Sequence, residues 1–275
     1  MKRIINILFF IRFINLIIAS FTILICAHSL ESLNYSKLIL CIIIVVFSMI
    51  IGNVMNDVLD IQTDTVNRPK RLLINNSITL LEARVILFIS SIVLLFCLIQ
   101  ISYSALLFYV LVFCLMLLYN IFLKNTPLIG NIIVSFLLSS VVIFTEILLF
   151  GRFVELFFPA ILAFGISIIR EIIKDLEDYK GDKKSGRHTL PIIIGQKKTI
   201  FFVIGLIVLF SSICFLPAYY NLNYLLYIII LIEIPLIYSL FLLINQPTKK
   251  EFTFISLILK GVIIGGLLIV FLIKQ

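Results

Sequence analysis

Charge is what this sequence has least of. Asp, Glu, Lys and Arg make up 13% of its 275 residues, against 62% hydrophobic ones, and that balance excludes a soluble globular protein. No polar block is long enough to fold alone, and there is no low-complexity tract or flexible linker. One membrane domain over residues 1–275 is therefore expected. Histidine is almost absent, with two in the chain, and no zinc-ligand set is present. His188, alone in a basic loop, reads as solvated. Cys26, Cys41, Cys97, Cys114 and Cys214 all lie inside apolar runs without paired or metal-ligand spacing, so they read as small core hydrophobes. A Walker loop and a nucleophile triad are also missing. The formal net charge of +8 would suit nucleic acid, but the basic residues fall mostly in loops on one predicted side of a membrane. That is the positive-inside pattern, and no nucleic-acid partner is expected.

What is there is a succession of apolar runs, each near the length of about 20 residues that crosses the hydrocarbon core. They predict an all-α, polytopic membrane protein with nine transmembrane helices, at residues 1–27, 38–57, 83–101, 104–123, 127–149, 156–173, 199–216, 224–244 and 252–273. The first run starts with Lys2-Arg3 like a secretory signal, yet it is too long for one and is interrupted by Arg12 and Asn15. Pro127 is a good first-turn residue for the fifth. Nine spans place the loops after the second and the sixth on one side. That side also carries Arg68, Lys70, Arg71, Lys124, Lys183, Lys184, Arg187, Lys197 and Lys198, whereas the other has only Lys37, Arg152 and Lys274. The side rich in lysine and arginine is expected to be cytoplasmic. Gly261 and Gly265, with Gly266 beside them, form a small-xxx-small pattern that marks close helix packing. Glu233 and Lys260, isolated in the last two spans, can form a buried pair.

Two stretches break the apolar pattern abruptly. In the first, Asn53 to Arg71, a helix continuing from the second span would step 100° per residue and set Asn56, Asp60 and Asp64 about 40° apart in succession, with Asp57 close to Asp64. In the second, Arg170 to Lys184, Glu171, Asp175, Asp178 and Asp182 fall within about 60° of one another. Carboxylates crowded on one stripe repel unless a cation neutralises them. A hard divalent ion is the natural one, and Mg²⁺ is usually held by a few carboxylates plus substrate phosphates. Two acidic stripes flanked by Lys and Arg suit one diphosphate bridged by metal ions. Arg12 in the first span, Lys124 at the end of the fourth and Asn131 early in the fifth are polar where leucine would serve, and they read as phosphate and acceptor contacts at a cavity mouth. An ion path through a transporter would put charges near mid-span; here they cluster at span ends beside basic loops, which points to an enzyme.

These residues resemble the UbiA-type intramembrane prenyltransferases. The family's first signature, Asn-Asp-x-x-Asp-x-x-x-Asp, is matched by Asn56, Asp57, Asp60 and Asp64, and its second, Asp-x-x-Asp-x-x-x-Asp, by Asp175, Asp178 and Asp182. Val66-Asn-Arg-Pro-Lys-Arg71, the segment from Leu118 to Asn131, and Thr189-Leu-Pro-Ile192 are most similar to the branch that makes ether-linked, archaeal-type lipids. The chain departs from common family patterns at Phe13, at Leu72-Leu-Ile-Asn-Asn76 and in the spacing from Tyr119 to Lys124. The resemblance implies a central cavity with two Asp-rich cytoplasmic motifs. Asn56, Asp57, Asp60, Asp64, Asp175, Asp178 and Asp182 would be Mg²⁺ ligands, with Asp60, Asp64, Asp178 and Asp182 catalytic. Arg12, Asn53, Asn56, Arg68, Lys70, Arg71, Lys124, Asn131, Lys174 and Lys183 would bind substrate. The implied donor is an isoprenyl diphosphate. The implied acceptor is the hydroxyl of a prenylglycerol phosphate in membrane lipid synthesis, or a ring carbon in the branches that prenylate aromatic compounds.

Overall fold

A computed structural model describes residues 2–32, 34–67, 69–219, 222–245 and 247–272. All regular structure among them is helical. In chain order the helices are α1 (Lys2–Phe10), α2 (Phe13–Ser29), α3 (Tyr35–Leu59), α4 (Ile61–Asn67), α5 (Leu80–Leu98), α6 (Tyr103–Ile121), α7 (Ile129–Phe150), α8 (Phe157–Lys184), α9 (Leu190–Ile194), α10 (Gln196–Cys214), α11 (Leu222–Ile228), α12 (Ile234–Ile244) and α13 (Lys249–Leu272). Starts follow local chemistry. Asn34 caps α3 by accepting from the Lys37 amide at 3.1 Å, and Thr79 and Glu82 form a reciprocal capping box on α5. Lys183 and Lys184 close α8 in its last turn, where cations complement the helix dipole.

Seven helices are long and apolar enough to cross a membrane: α3, α5, α6, α7, α10, the α11–α12 segment and α13. The pair α1 and α2, bent by 56°, makes an eighth if it forms one span. The predicted first span is thus broken, at Ile11 and Arg12, and the reason lies in the site described below. α8 has 28 residues, eleven more at its C-terminal end than the sixth predicted span, but charge enters it at Arg170 and its second half is polar. In lipid the chain has no reason to hide apolar side chains, and Phe88, Leu95, Phe96, Leu107 and Leu111 on α5 and α6 are exposed. A soluble protein rarely presents such a surface. Helices are the form that satisfies every backbone amide within one segment at that depth.

The chain divides into two compact units, Met1–Lys124 with Val141–Glu155, and Asn125–Ser140 with Leu156–Gln275. In the first, α3 packs on α2, α5 and α6, around a core that includes Phe10, Leu16, Ile50, Val54, Ile78 and Ala83. In the second, α8 packs on α10 and α13, burying Ile169, Ile172, Ile173, Leu176, Ile207 and Leu259. A five-residue π-helix, Ile229–Glu233, joins α11 to α12. It ends on Glu233, which accepts from the Ser211 hydroxyl at 2.7 Å, so Ser211 supplies a partner that was expected of Lys260. Of the cysteines, Cys114 is exposed and the other four are buried, and all five are free thiols.

Candidate active site

The first acidic motif is assembled within the first unit. α3 delivers Asn53, Asn56 and Asp57 on its last two turns, then stops at Leu59. The single helix expected to run on through Asp64 is interrupted: Asp60 is the C-cap, at φ −89° and ψ 4°, and α4 restarts at Ile61. A continuous stripe would hold three carboxylates side by side. The break lets each reach a cation. Asp57 accepts from Arg12 at 2.9 Å and from Arg71 at 3.0 Å. Asp64, 4% exposed, is bound by the same Arg71 nitrogen. Lys124 donates to both Asp60 Oδ2 and Asn56 Oδ1.

Arg12 explains the break in the first span. It sits between α1 and α2 in the left-handed region, at φ 58° and ψ 50°, a conformation that non-glycine residues seldom adopt. Its guanidinium bridges Asn53 Oδ1 at 3.1 Å and Asp57 Oδ1, while the Asn53 amide donates to the Ile11 carbonyl at 3.2 Å. Asn53 and Asp57 lie one turn apart on α3, so one face of that helix holds the broken turn through both its backbone and its side chain.

The second motif lies within the second unit, on α8, which runs unbroken through Glu171, Asp175, Asp178 and Asp182. Asp175 accepts from the Asn131 amide at 2.8 Å. Asn131, on the first turn of α7, is itself buried. Asp182 is 4% exposed and has Arg187 at 3.7 Å. Lys174 reaches both oxygens of Glu171, at 2.9 and 2.8 Å. Arg170 stands at 3.4 Å from Glu171 and donates to the Ser256 carbonyl at 3.3 Å.

Arg12, Asn53, Asn56, Asp57, Asp60, Asp64, Arg71 and Lys124 therefore lie in one neighbourhood of linked contacts, and Asn131 and Asp175 in another. Lys70 and Lys183 are exposed, and Arg68 lies outside the described residues. Three charged residues were missed as partners. Arg187 and Arg170 stand beside motif-two carboxylates, and their only signal was closeness in sequence. Glu146, fully buried, accepts from the amides of Val154 and Glu155 at 2.9 and 3.0 Å; a lone carboxylate inside a membrane-length helix was the clue.

Among the described residues no three His, Cys, Asp or Glu side chains are gathered as a metal cluster. The oxygens converge in pairs instead. Asn56 and Asp60 meet on the Lys124 ammonium, and Asp57 and Asp64 on one Arg71 nitrogen. Hard oxygens aimed two at a time at one positive group fit Mg²⁺, which takes a few protein ligands and completes its shell with water and phosphate.

Residues 15–260 match the model of the UbiA prenyltransferase family. The chain is 34% identical over 254 residues to the digeranylgeranylglyceryl phosphate synthase of Methanosphaera stadtmanae, covering 90% of each. It is 31% identical over 257 residues to the Methanobrevibacter smithii enzyme of the same name, covering 86% of each. Among solved structures, one concerning digeranylgeranylglyceryl phosphate synthase in membranes superposes with a TM-score of 0.73 at 33% identity over 100% of both chains. A UbiA homologue from Archaeoglobus fulgidus bound to GPP and Mg²⁺ has a TM-score of 0.67 at 15% identity, covering 96% of this chain and 99% of that one, a likeness of fold.

Proposed function

Because the chain belongs to the UbiA prenyltransferase family, we propose that it transfers a prenyl group, in this branch geranylgeranyl, from its diphosphate to the free hydroxyl of a prenylglycerol phosphate. Pyrophosphate is released and a membrane ether lipid precursor is formed. The observation that carries the reading is the set of motif-one oxygens aimed in pairs at cations, in a chain whose relatives at 31 to 34% identity bear the name digeranylgeranylglyceryl phosphate synthase.

In this reading residues 1–275 act as one functional domain, with the basic loops and both acidic motifs facing the cytoplasm. Bound Mg²⁺ would supply Lewis-acid stabilisation of the departing pyrophosphate. Asn56, Asp57, Asp60 and Asp64 of the first motif would be Mg²⁺ ligands, and so would Asp175, Asp178 and Asp182 of the second. Arg12, Arg68, Lys70, Arg71, Lys124, Lys174 and Lys183 bind and neutralise the phosphates, and Asn53 and Asn131 orient Arg12 and Asp175. Charge that develops on the bridging oxygen as the C1–O bond breaks is met by groups already in place. The apolar surroundings exclude water from the allylic cation. The acceptor oxygen then bonds to C1, and its proton passes to the departing pyrophosphate.

A product assay tests this. Purified protein in detergent receives Mg²⁺, geranylgeranyl diphosphate, and a mixture of geranylgeranylglyceryl phosphate and aromatic acids, and the products are read by mass spectrometry. The doubly prenylated glycerol phosphate should appear and vanish with a chelator. A prenylated ring in its place would move the enzyme to another branch of the family.

A further inference from the structure

We infer that Lys124 holds one of the metal seats of the first acidic motif and gives it up when a divalent cation and a diphosphate arrive together. The inference rests on the metal-dependent reading above and adds to it an internal competitor for the metal.

The seat is defined by two oxygens. Asn56 Oδ1 and Asp60 Oδ2 come from adjacent turns at the end of α3, and the Lys124 ammonium donates to both. The contact is largely enclosed, with 14% of the Lys124 side chain and 13% of the Asp60 side chain exposed. A divalent ion taking the same two oxygens would meet a positive charge at hydrogen-bond distance. Both cations cannot use those lone pairs at once.

Lys124 is built to move, and Arg71 is not. Lys124 stands on a three-residue turn, Leu123–Asn125, between α6 and α7, and carries its charge on a flexible four-carbon stem with freely rotating donors. Arg71 is pinned by two carboxylates at once, Asp57 and Asp64, and Asp57 is held again by Arg12. A diphosphate gives a released ammonium new oxygens to bind. Metal alone must displace Lys124 with no compensation, whereas metal with diphosphate displaces it onto a partner. The two ligands therefore bind with positive coupling beyond their direct contact. By linkage the penalty is reciprocal: whatever Lys124 takes from metal affinity, the metal takes from the seating of Lys124.

The test is binding, read without turnover. Mn²⁺ uptake by the purified full chain in detergent is followed by electron paramagnetic resonance, with and without inorganic pyrophosphate, after thermal melting has confirmed that each variant is folded. Lys124→Met and Lys124→Gln should each bind Mn²⁺ alone about tenfold more tightly than wild type, within the usual span of coupling between ligands. Pyrophosphate should then improve their Mn²⁺ affinity by a smaller factor than it does for wild type. Lys124→Arg, which keeps the charge, should show no such gain. Unchanged or weaker Mn²⁺ binding in the Met and Gln variants, or an equal gain in the Arg variant, overturns the inference while leaving the metal reading intact. Absence of Mn²⁺ uptake by wild type even with pyrophosphate overturns both.

Discussion

An Asp-to-Asn exchange keeps the shape of a side chain and removes its charge, so it separates the chemical role of a carboxylate from its structural one. Asp60 accepts from the flexible Lys124 ammonium, whereas Asp57 anchors two guanidinium groups. Asp60→Asn and Asp178→Asn should each lower turnover by at least about 100-fold, the scale of losing one preorganised electrostatic contact, with little change in melting temperature. Near-wild-type rates in both variants would remove these residues from the mechanism. Asp57→Asn should in addition destabilise the fold by about 1–3 kcal/mol, because it takes a charged acceptor from two part-buried cations, leaving Arg12 with Asn53 and Arg71 with Asp64, and their partial exposure limits the penalty. The check is a lower thermal midpoint for Asp57→Asn than for Asp60→Asn in the same detergent.

At the level of helices, a proline explains the widened turn between α11 and α12. Pro235 has no amide hydrogen, so the Leu231 carbonyl loses the donor that a regular helix would supply four residues on. The Ile234 amide reaches back five residues to the Ile229 carbonyl, which is the π-helical bond. The released Leu231 oxygen lies against Gly265 of α13, where an added Cβ would stand 2.9 Å from it. That oxygen is backbone and cannot swing away. Gly265→Ala should therefore cost about 1–3 kcal/mol of stability. Gly261→Ala, where a Cβ meets nothing within 4 Å, should be neutral or stabilising by up to about 1 kcal/mol through helix propensity. Equal melting temperatures for the two variants would contradict the close approach. The small-xxx-small pattern thus contains one glycine that packs closely and one that does not, a distinction that spacing alone does not carry.

For the molecule as a whole, orientation in the bilayer is the property on which substrate access depends. The first acidic motif belongs to the first compact unit and the second, with Asn131, to the other. In the proposed reading, the uneven spread of lysine and arginine is expected to put both motifs on the cytoplasmic side. In a background cleared of native cysteines, Lys70→Cys and Lys183→Cys should react with a membrane-impermeant maleimide in inverted vesicles and stay unlabelled in right-side-out ones. Lys37→Cys should do the reverse. Both lysines with loop-facing chemistry are exposed, so reagent access does not limit the experiment. Labelling of Lys70→Cys and Lys183→Cys from opposite sides would refute the shared orientation.

By itself the sequence determined the class of the protein, the order of its apolar helices, the two acidic motifs and the family. Each of these is local. A backbone in hydrocarbon must satisfy its own amides, so a run of about 20 apolar residues becomes a helix whatever surrounds it, and carboxylates at helical spacing share a face through geometry alone. The tertiary structure decided which cation each carboxylate meets. Lys124 reaches Asp60 across 64 residues, and Arg12 reaches Asp57 across 45, distances over which spacing carries no information. It also decided where helices break. The left-handed Arg12 is tolerated because Asn53 and Asp57 hold it from α3, and α3 stops before Asp60 because three adjacent carboxylates on one stripe are less favourable than three carboxylates each turned toward a positive charge.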